Sequence, residues 1–121
     1  MRQTISIKPA YSQVIICDPT AEVEVPWERG VPFVASNTCI LFGCYPETDG
    51  PTELTFGSAD DVQPHGDPIC ERMLKTPGRQ IAVETAEGDG IFRMPTKGTE
   101  TLVRVWSNRS WLPDKVIIGV D

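Results

Sequence analysis

The clearest structural signal lies in residues 100–121, which read ETLVRVWSNRSWLPDKVIIGVD. Val103 and Val105 share one side of the first half, with polar or aromatic residues around them. Val116 and Ile118 repeat this pattern in the second half. Because side chains alternate between the two faces of a β-strand, the segment predicts two strands joined by a polar loop.

The same alternation continues through most of the chain, and turn residues interrupt it roughly every ten positions. The predicted strands cover residues 4–9, 12–17, 22–25, 32–35, 38–45, 52–57, 79–85, 91–95, 100–107 and 114–121. Several of these strands are apolar on one face only, which favours two packed sheets over a barrel. We therefore predict an all-β fold, an antiparallel β-sandwich of about eight to ten short strands with at most one short helix.

Turn chemistry also predicts how some strands pair. Residues 4–9 and 12–17 are close enough in sequence to form a hairpin or one bent strand. The turn PETDGP at residues 46–51 predicts a hairpin between strands 38–45 and 52–57. Strand 38–45 is apolar on both faces, so we expect it to lie centrally between two layers.

The only helix candidate is residues 68–75, which follow a loop at 58–68 rich in Asp, Pro and Gly. The 121 residues suit a single domain spanning 1–121. No apolar run approaches the ~20 residues that cross a bilayer, and no leader-like segment opens the chain. The expectation is a cytoplasmic protein without membrane contact.

The four cysteines, Cys17, Cys39, Cys44 and Cys70, form no Cys-x-x-Cys pair, and His65 is the single histidine. Structural zinc sites need four converging ligands, usually at close spacing, so no metal site is predicted. In a cytosol these cysteines are expected to be reduced, most of them packed as small apolar residues.

Charge is distributed unevenly along the chain, whose net charge is −6. Between Gly30 and Glu71 there is no Lys or Arg. That block contains seven acids: Glu47, Asp49, Glu53, Asp60, Asp61, Asp67 and Glu71. The basic footprint of a DNA- or RNA-binding protein is missing, whereas an acidic field attracts basic partners. The alternative is a solvated surface that keeps the protein soluble.

Catalytic groups are sparse. A nucleophile needs a base within reach, and the spacing allows a pair of His65 with Cys70. No nucleophile elbow surrounds any Ser or Cys, and the acids lie in turns and loops. We therefore predict that the protein is not an enzyme, and a small hydrolase is the last of three hypotheses.

Loop acids and tryptophans suggest two kinds of binding site. Loop carboxylates are calcium ligands, but the acids at 47–49, 60–61 and 67 do not fit the EF-hand pattern. No cofactor is predicted, and loop calcium stays open as an alternative. Trp106, Arg109 and Trp111 cluster in sequence, and such residues dominate interface hot spots or stack on sugars. Alternatively, the two tryptophans cap the open end of the core.

The order of landmarks along the chain is informative. It runs from Tyr11-Ser12-Gln13 and the Trp27 turn through the strand Ile40-Leu41-Phe42-Gly43 and the turn Pro95-x-Lys97-Gly98 to strands 101–106 and 116–120. This order resembles the competence protein J family, small bacterial proteins that inhibit a DNA-entry nuclease. The resemblance implies an inhibitor or immunity-type protein. Its acidic block would occupy a basic cleft in place of DNA phosphates, and aromatics such as Trp111 would hold the complex.

The first hypothesis is therefore a small acidic binding protein for a basic protein partner such as a nuclease, without direct nucleic-acid contact. The second is a carbohydrate- or small-ligand-binding β-sandwich that uses Trp106, Arg109 and Trp111, with or without calcium. The predicted partner-binding residues are Glu47, Asp49, Asp60, Asp61, Asp67, Trp106, Arg109 and Trp111. No oligomeric state follows from the sequence.

Overall fold

A computed structural model of the protein describes residues 2–9, 12–22, 30–46, 48–62, 64, 66–86, 88 and 90–121. Its elements are β1 (Gln3–Ile7), β2 (Gln13–Cys17), β3 (Phe33–Ala35), β4 (Cys39–Gly43), β5 (Thr52–Ser58), α1 (Ala59–Val62), β6 (Cys70–Lys75), β7 (Gln80–Thr85), β8 (Gly90–Pro95), β9 (Glu100–Ser107) and β10 (Lys115–Val120). In these ranges no helix is both long and apolar enough to cross a membrane. The predicted Trp27 turn and most of the predicted strand at 22–25 lie outside the described residues.

The strands form two five-stranded sheets, which confirms the predicted all-β sandwich. Sheet I has the order β1-β5-β10-β9-β6, and sheet II has the order β3-β4-β2-β7-β8. Neighbouring strands are antiparallel except β5 and β10, which are parallel. The buried faces of both sheets meet in one hydrophobic cluster.

Alternation places the predicted side chains in this core. In sheet I, Val116 and Ile118 are no more than 1% exposed, as expected for the inner face of β10. Leu54 and Phe56 of β5 are also buried. Phe56 stacks across the interior on Phe92 of β8, with ring centroids 5.4 Å apart. This stacked pair joins the two sheets, since its rings belong to opposite layers.

The predicted hairpin between strands 38–45 and 52–57 is wrong, and of the two alternatives for residues 4–9 and 12–17 the hairpin is excluded. The chain passes from sheet I to sheet II between β1 and β2, and from sheet II back to sheet I between β4 and β5. A turn-rich connection permits either a reversal within one sheet or a crossing to the other, and alternation is the same in both. β4 is second from the edge of sheet II rather than central. The adjacent β7 and β8 do pair as an antiparallel hairpin.

The predicted helix at 68–75 is also wrong, because most of it is the edge strand β6. Its Glu, Arg, Met, Leu and Lys residues favour helix, but pairing with β9 buries Cys70 and Leu74 on the core side. The short helix α1 lies instead in the predicted loop, where Asp61 hydrogen-bonds the side chain of Ser58. Ser-x-x-Asp is a variant of the capping box, a signal that the sequence contained.

A buried carboxylate, Asp18, ties the end of β2 to the turn before β7. Its Oδ1 accepts hydrogen bonds from the Thr20 amide and hydroxyl, at 2.8 and 2.7 Å, and Oδ2 accepts one from the Gly78 amide at 2.6 Å. Burial alone would raise the pKa of Asp18, but these hydrogen bonds and the charge of Arg93 hold it below its usual value. A Cβ at residue 78 would collide with the Thr20 hydroxyl, so glycine is required there.

All four cysteines are buried as free thiols. Burial raises the pKa of Cys17 and of Cys44 to about 12, with Glu84 contributing at Cys17. Since the thiolate is the reactive form, we expect a thiol reagent at pH 8 to label the native protein only slowly, and to label all four cysteines after denaturation. Rapid labelling of any cysteine in the native protein, located by mass spectrometry, would contradict the burial.

Candidate functional site

The outer face of sheet I has a distinct construction. On β9 and β10 the residues that alternate with the core valines point outward, among them Arg104 and Trp106 on β9 and Lys115 and Ile117 on β10. The connection from β5 to β6 crosses this face, and α1 packs on β10 and β5. This face is therefore covered partly by chain and partly by exposed polar groups.

Gly119 lets the crossing chain approach the sheet closely. A Cβ at this position would lie 3.1 Å from the Trp106 ring and 3.1 Å from a Val62 methyl group. Val62, the buried residue of α1, thus packs beside the Trp106 indole over the glycine. The Trp106 Nε1–H donates a hydrogen bond to the Gly66 carbonyl at 3.2 Å. These contacts fix both the connection and the indole.

Five acids of the lysine- and arginine-free block lie on this outer face or at its margin. We name the following residues the acidic face: Glu53, Asp60, Asp61, Asp67, Glu71 and Asp121. Asp121 lies outside the block and was not foreseen. Arg104 lies between two of these acids, 3.7 Å from Glu71 and 3.1 Å from Asp121. Its charge is shared by both carboxylates. Lys115 lies on the same face and Lys97 lines a pocket with Asp60 and Asp121, so the six acids outnumber these three cations and negative charge is in excess.

A shallow pocket of about 270 Å³ opens beside Trp106 on the same face. Trp106 and Ile117 are direct neighbours across β9 and β10 and form its floor. Asp67 of the crossing connection and Lys115 of β10 also line the pocket. The pocket thus combines an apolar floor with two charged groups at its margin.

The loop that follows β9 presents the other predicted residues. Arg109 turns back over the Tyr45 ring, 5.0 Å from its centroid, and its Nε–H donates to the Leu112 carbonyl at 3.1 Å. The Tyr45 amide in turn donates to the Pro113 carbonyl at 2.8 Å. Trp111 remains 51% exposed. Arg109 therefore stabilises the loop to which it belongs, and the Trp111 side chain is exposed to solvent.

The structure separates the predicted binding residues into two groups. Asp60, Asp61, Asp67 and Trp106 lie on the outer face of sheet I. Arg109 and Trp111 lie in the loop after β9, at the end of the sandwich near Tyr45. Glu47 lies outside the described residues. Asp49, exposed in the turn after β4, belongs with the Tyr45 end, where Gly50 approaches the Tyr45 ring.

Cys70, His65 and the loop acids are the residues considered for catalysis or metal binding. Cys70 is buried in the core cluster, and burial raises the pKa of its thiol, so a Cys70 nucleophile is unfavourable. His65 lies outside the described residues. Among the residues that the structure does describe, no group of three His, Cys, Asp or Glu side chains could hold a metal ion. Calcium at the loop acids stays a prediction.

The architecture defines an all-β sandwich of two five-stranded sheets with an acidic outer face. Comparison with solved structures finds a similar fold in the crystal structure of ComJ, inhibitor of the DNA degrading activity of NucA, from Bacillus subtilis. The match has a TM-score of 0.61 and 14% identity, and covers 99% of this chain and 93% of that chain. The resemblance suggested by the landmarks is confirmed at the level of the fold. No family model matches the chain, and no curated protein matches its sequence significantly.

Proposed function

We propose that this chain is a non-enzymatic binding protein that inhibits a nuclease by presenting its acidic face to the basic DNA-binding cleft. The observation that supports this most directly is the gathering of five acids of the block, with Asp121, on one side of the sandwich. The likeness to ComJ supports the kind of partner, since that protein is described as an inhibitor of a nuclease.

The physical basis is competition with DNA. A nuclease must neutralise phosphates with Lys and Arg, so its cleft attracts an acidic surface of suitable shape. Charges at the rim mainly raise the association rate, whereas desolvated aromatic groups slow dissociation. In this chain the acids of the acidic face supply the first effect. Trp106 at its pocket and Trp111 at the neighbouring loop supply the second.

Inhibition can be tested with NucA of Bacillus subtilis as the probe. We expect the chain to bind NucA in 0.05 M salt and to suppress its degradation of DNA, with binding weakened at 0.5 M salt because exposed charges are screened. Failure to bind NucA even at low salt, together with saturable sugar binding that quenches tryptophan fluorescence, would favour the carbohydrate-binding alternative.

A charge-matched pair of variants tests the acidic face. The variant Glu53→Gln/Asp60→Asn should slow association with NucA about fivefold at low salt, because electrostatic steering falls with each charge removed. The control Glu22→Gln/Glu84→Gln makes the same change in net charge away from that face. Equal slowing by both variants would mean that net charge, rather than the acidic face, controls association.

A further inference from the structure

We propose that the pocket beside Trp106 binds the guanidinium group of an arginine side chain from the basic partner. This inference rests on the proposed function for the nature of the partner, and it assigns a defined contact to one position on the acidic face. It concerns the pocket floor, formed by Trp106 and Ile117, and the carboxylate of Asp67, which also lines the pocket.

The indole of Trp106 is held so that its ring, rather than its N–H, is available to a ligand. Its Nε1–H is already bonded to the Gly66 carbonyl at 3.2 Å, and part of its edge packs toward Gly119. Because the indole N–H of Trp106 already has an acceptor and the ring is held in place, the π-face of the indole is the part that can still contact a ligand. A planar cation gains energy by stacking on an indole face, and Arg does so more often than Lys.

Asp67 supplies a carboxylate beside this ring. Asp67 is exposed. Within the described part of the chain, the Asp67 side chain forms no hydrogen bond or ion pair. A carboxylate accepts two parallel N–H bonds from a guanidinium, which gives such a pair both strength and direction. A stacking face beside a carboxylate that has no partner among the described residues therefore fits arginine better than a neutral or anionic group.

Asn108 and Lys115 are further polar residues at the pocket. The Asn108 amide donates to Asp114 Oδ1 at 2.6 Å and accepts from the Lys115 amide at 3.2 Å, so it serves the loop. The Lys115 side chain would repel a guanidinium. Lys115 lies opposite Glu53 in the parallel β10–β5 register, but no ion pair joins these two described residues. Its repulsion is the reason why removal of the Lys115 charge should strengthen binding.

The test uses the full chain, labelled with ¹⁵N, and a neutral-flanked probe, the peptide acetyl-Gly-Ser-Arg-Ser-Gly-amide. We expect saturable shifts of the Trp106 indole N–H and of the Asp67 amide resonance. The corresponding lysine peptide should bind at least threefold more weakly, and the citrulline peptide, which is planar but uncharged, should leave both resonances unshifted.

Variants of exposed residues sharpen the test without disturbing the core. Asp67→Asn should weaken binding of the arginine peptide at least threefold, whereas Lys115→Gln should strengthen it about twofold. Glu22→Gln, the same charge change at an exposed residue outside the pocket, should leave the affinity unchanged. Equal binding of the arginine and citrulline peptides, no shift at Trp106, or a response to methyl glucoside in place of arginine would overturn the proposal.

These outcomes separate the two proposals. If the arginine peptide binds at Trp106 but NucA is neither bound nor inhibited, the pocket assignment stands and the proposed nuclease partner fails. If NucA is inhibited and the peptide does not bind, the acidic face acts without an arginine contact in this pocket.

Discussion

Replacing Asp18 with Ala is expected to lower the free energy of unfolding by about 3 kcal/mol. The carboxylate is fully buried and accepts hydrogen bonds from both donors of Thr20 and from the Gly78 amide. Hydrogen bonds to a charged group contribute about 1.5–3 kcal/mol each, and their loss is not additive when one acceptor serves all donors. Denaturant unfolding of the variant and the parent measures the difference.

The same carboxylate makes stability depend on pH. Its folded pKa is depressed, so its stabilising contribution is present above the unfolded pKa of about 3.9 and is lost as pH falls through the lower folded value. Below about pH 4 the parent should therefore lose stability more steeply than Asp18→Ala. The exposed acid Asp49, changed to Ala, is the control and should alter stability by no more than about 0.5 kcal/mol. Parallel pH profiles for parent and Asp18→Ala would contradict the assignment.

Replacing Gly119 with Val is expected to destabilise the protein by about 2–3 kcal/mol and to disturb the outer face of sheet I. Even a single Cβ would lie 3.1 Å from both the Trp106 ring and Val62, and the branched side chain adds two more methyl groups. The least costly relief is displacement of α1 or of the indole, because the inner side of β10 is closely packed. Binding to NucA should weaken together with stability.

Gly98 provides the matched control for this substitution. A Cβ there meets nothing within 4 Å, so Gly98→Val should change stability by no more than about 0.5 kcal/mol. Unfolding in urea and the emission spectrum of the tryptophans report the two effects separately. A Gly119→Val protein with parental stability and an unchanged spectrum would show that the chain crossing sheet I is not packed as described.

Strand identity was readable from the sequence because it depends on local alternation. β9 and β10 match the prediction closely, since valines on one face alternate with polar and aromatic residues on the other. Partner choice was not readable, as the wrong hairpin between strands 38–45 and 52–57 demonstrates. The parallel pairing of β5 with β10 joins residues about sixty positions apart, and no local pattern specifies such a contact.

The candidate site was predicted only in part, because some of its features are local in the sequence and others depend on the fold. The absence of Lys and Arg between Gly30 and Glu71 is a property of the sequence, so the acidic character could be foreseen. The distribution of those acids over one face depends on the path of the chain between β5 and β6. Asp121 and the pocket floor at Ile117 could not be assigned to the site without knowing that β10 lies beneath that path.

The position of β10 also has a consequence for how the molecule forms during synthesis. β10 follows the other described strands in the chain and is therefore made after them, yet it occupies the middle of sheet I, between β5 and β9. Until β10 has been made, the pair of β1 with β5 and the pair of β9 with β6 are two separate two-stranded units with unpaired edges. Sheet II needs none of these strands for its own pairing and can assemble earlier. Sheet I therefore cannot close before β10 has been made, and until then its unpaired strand edges favour aggregation in competition with folding.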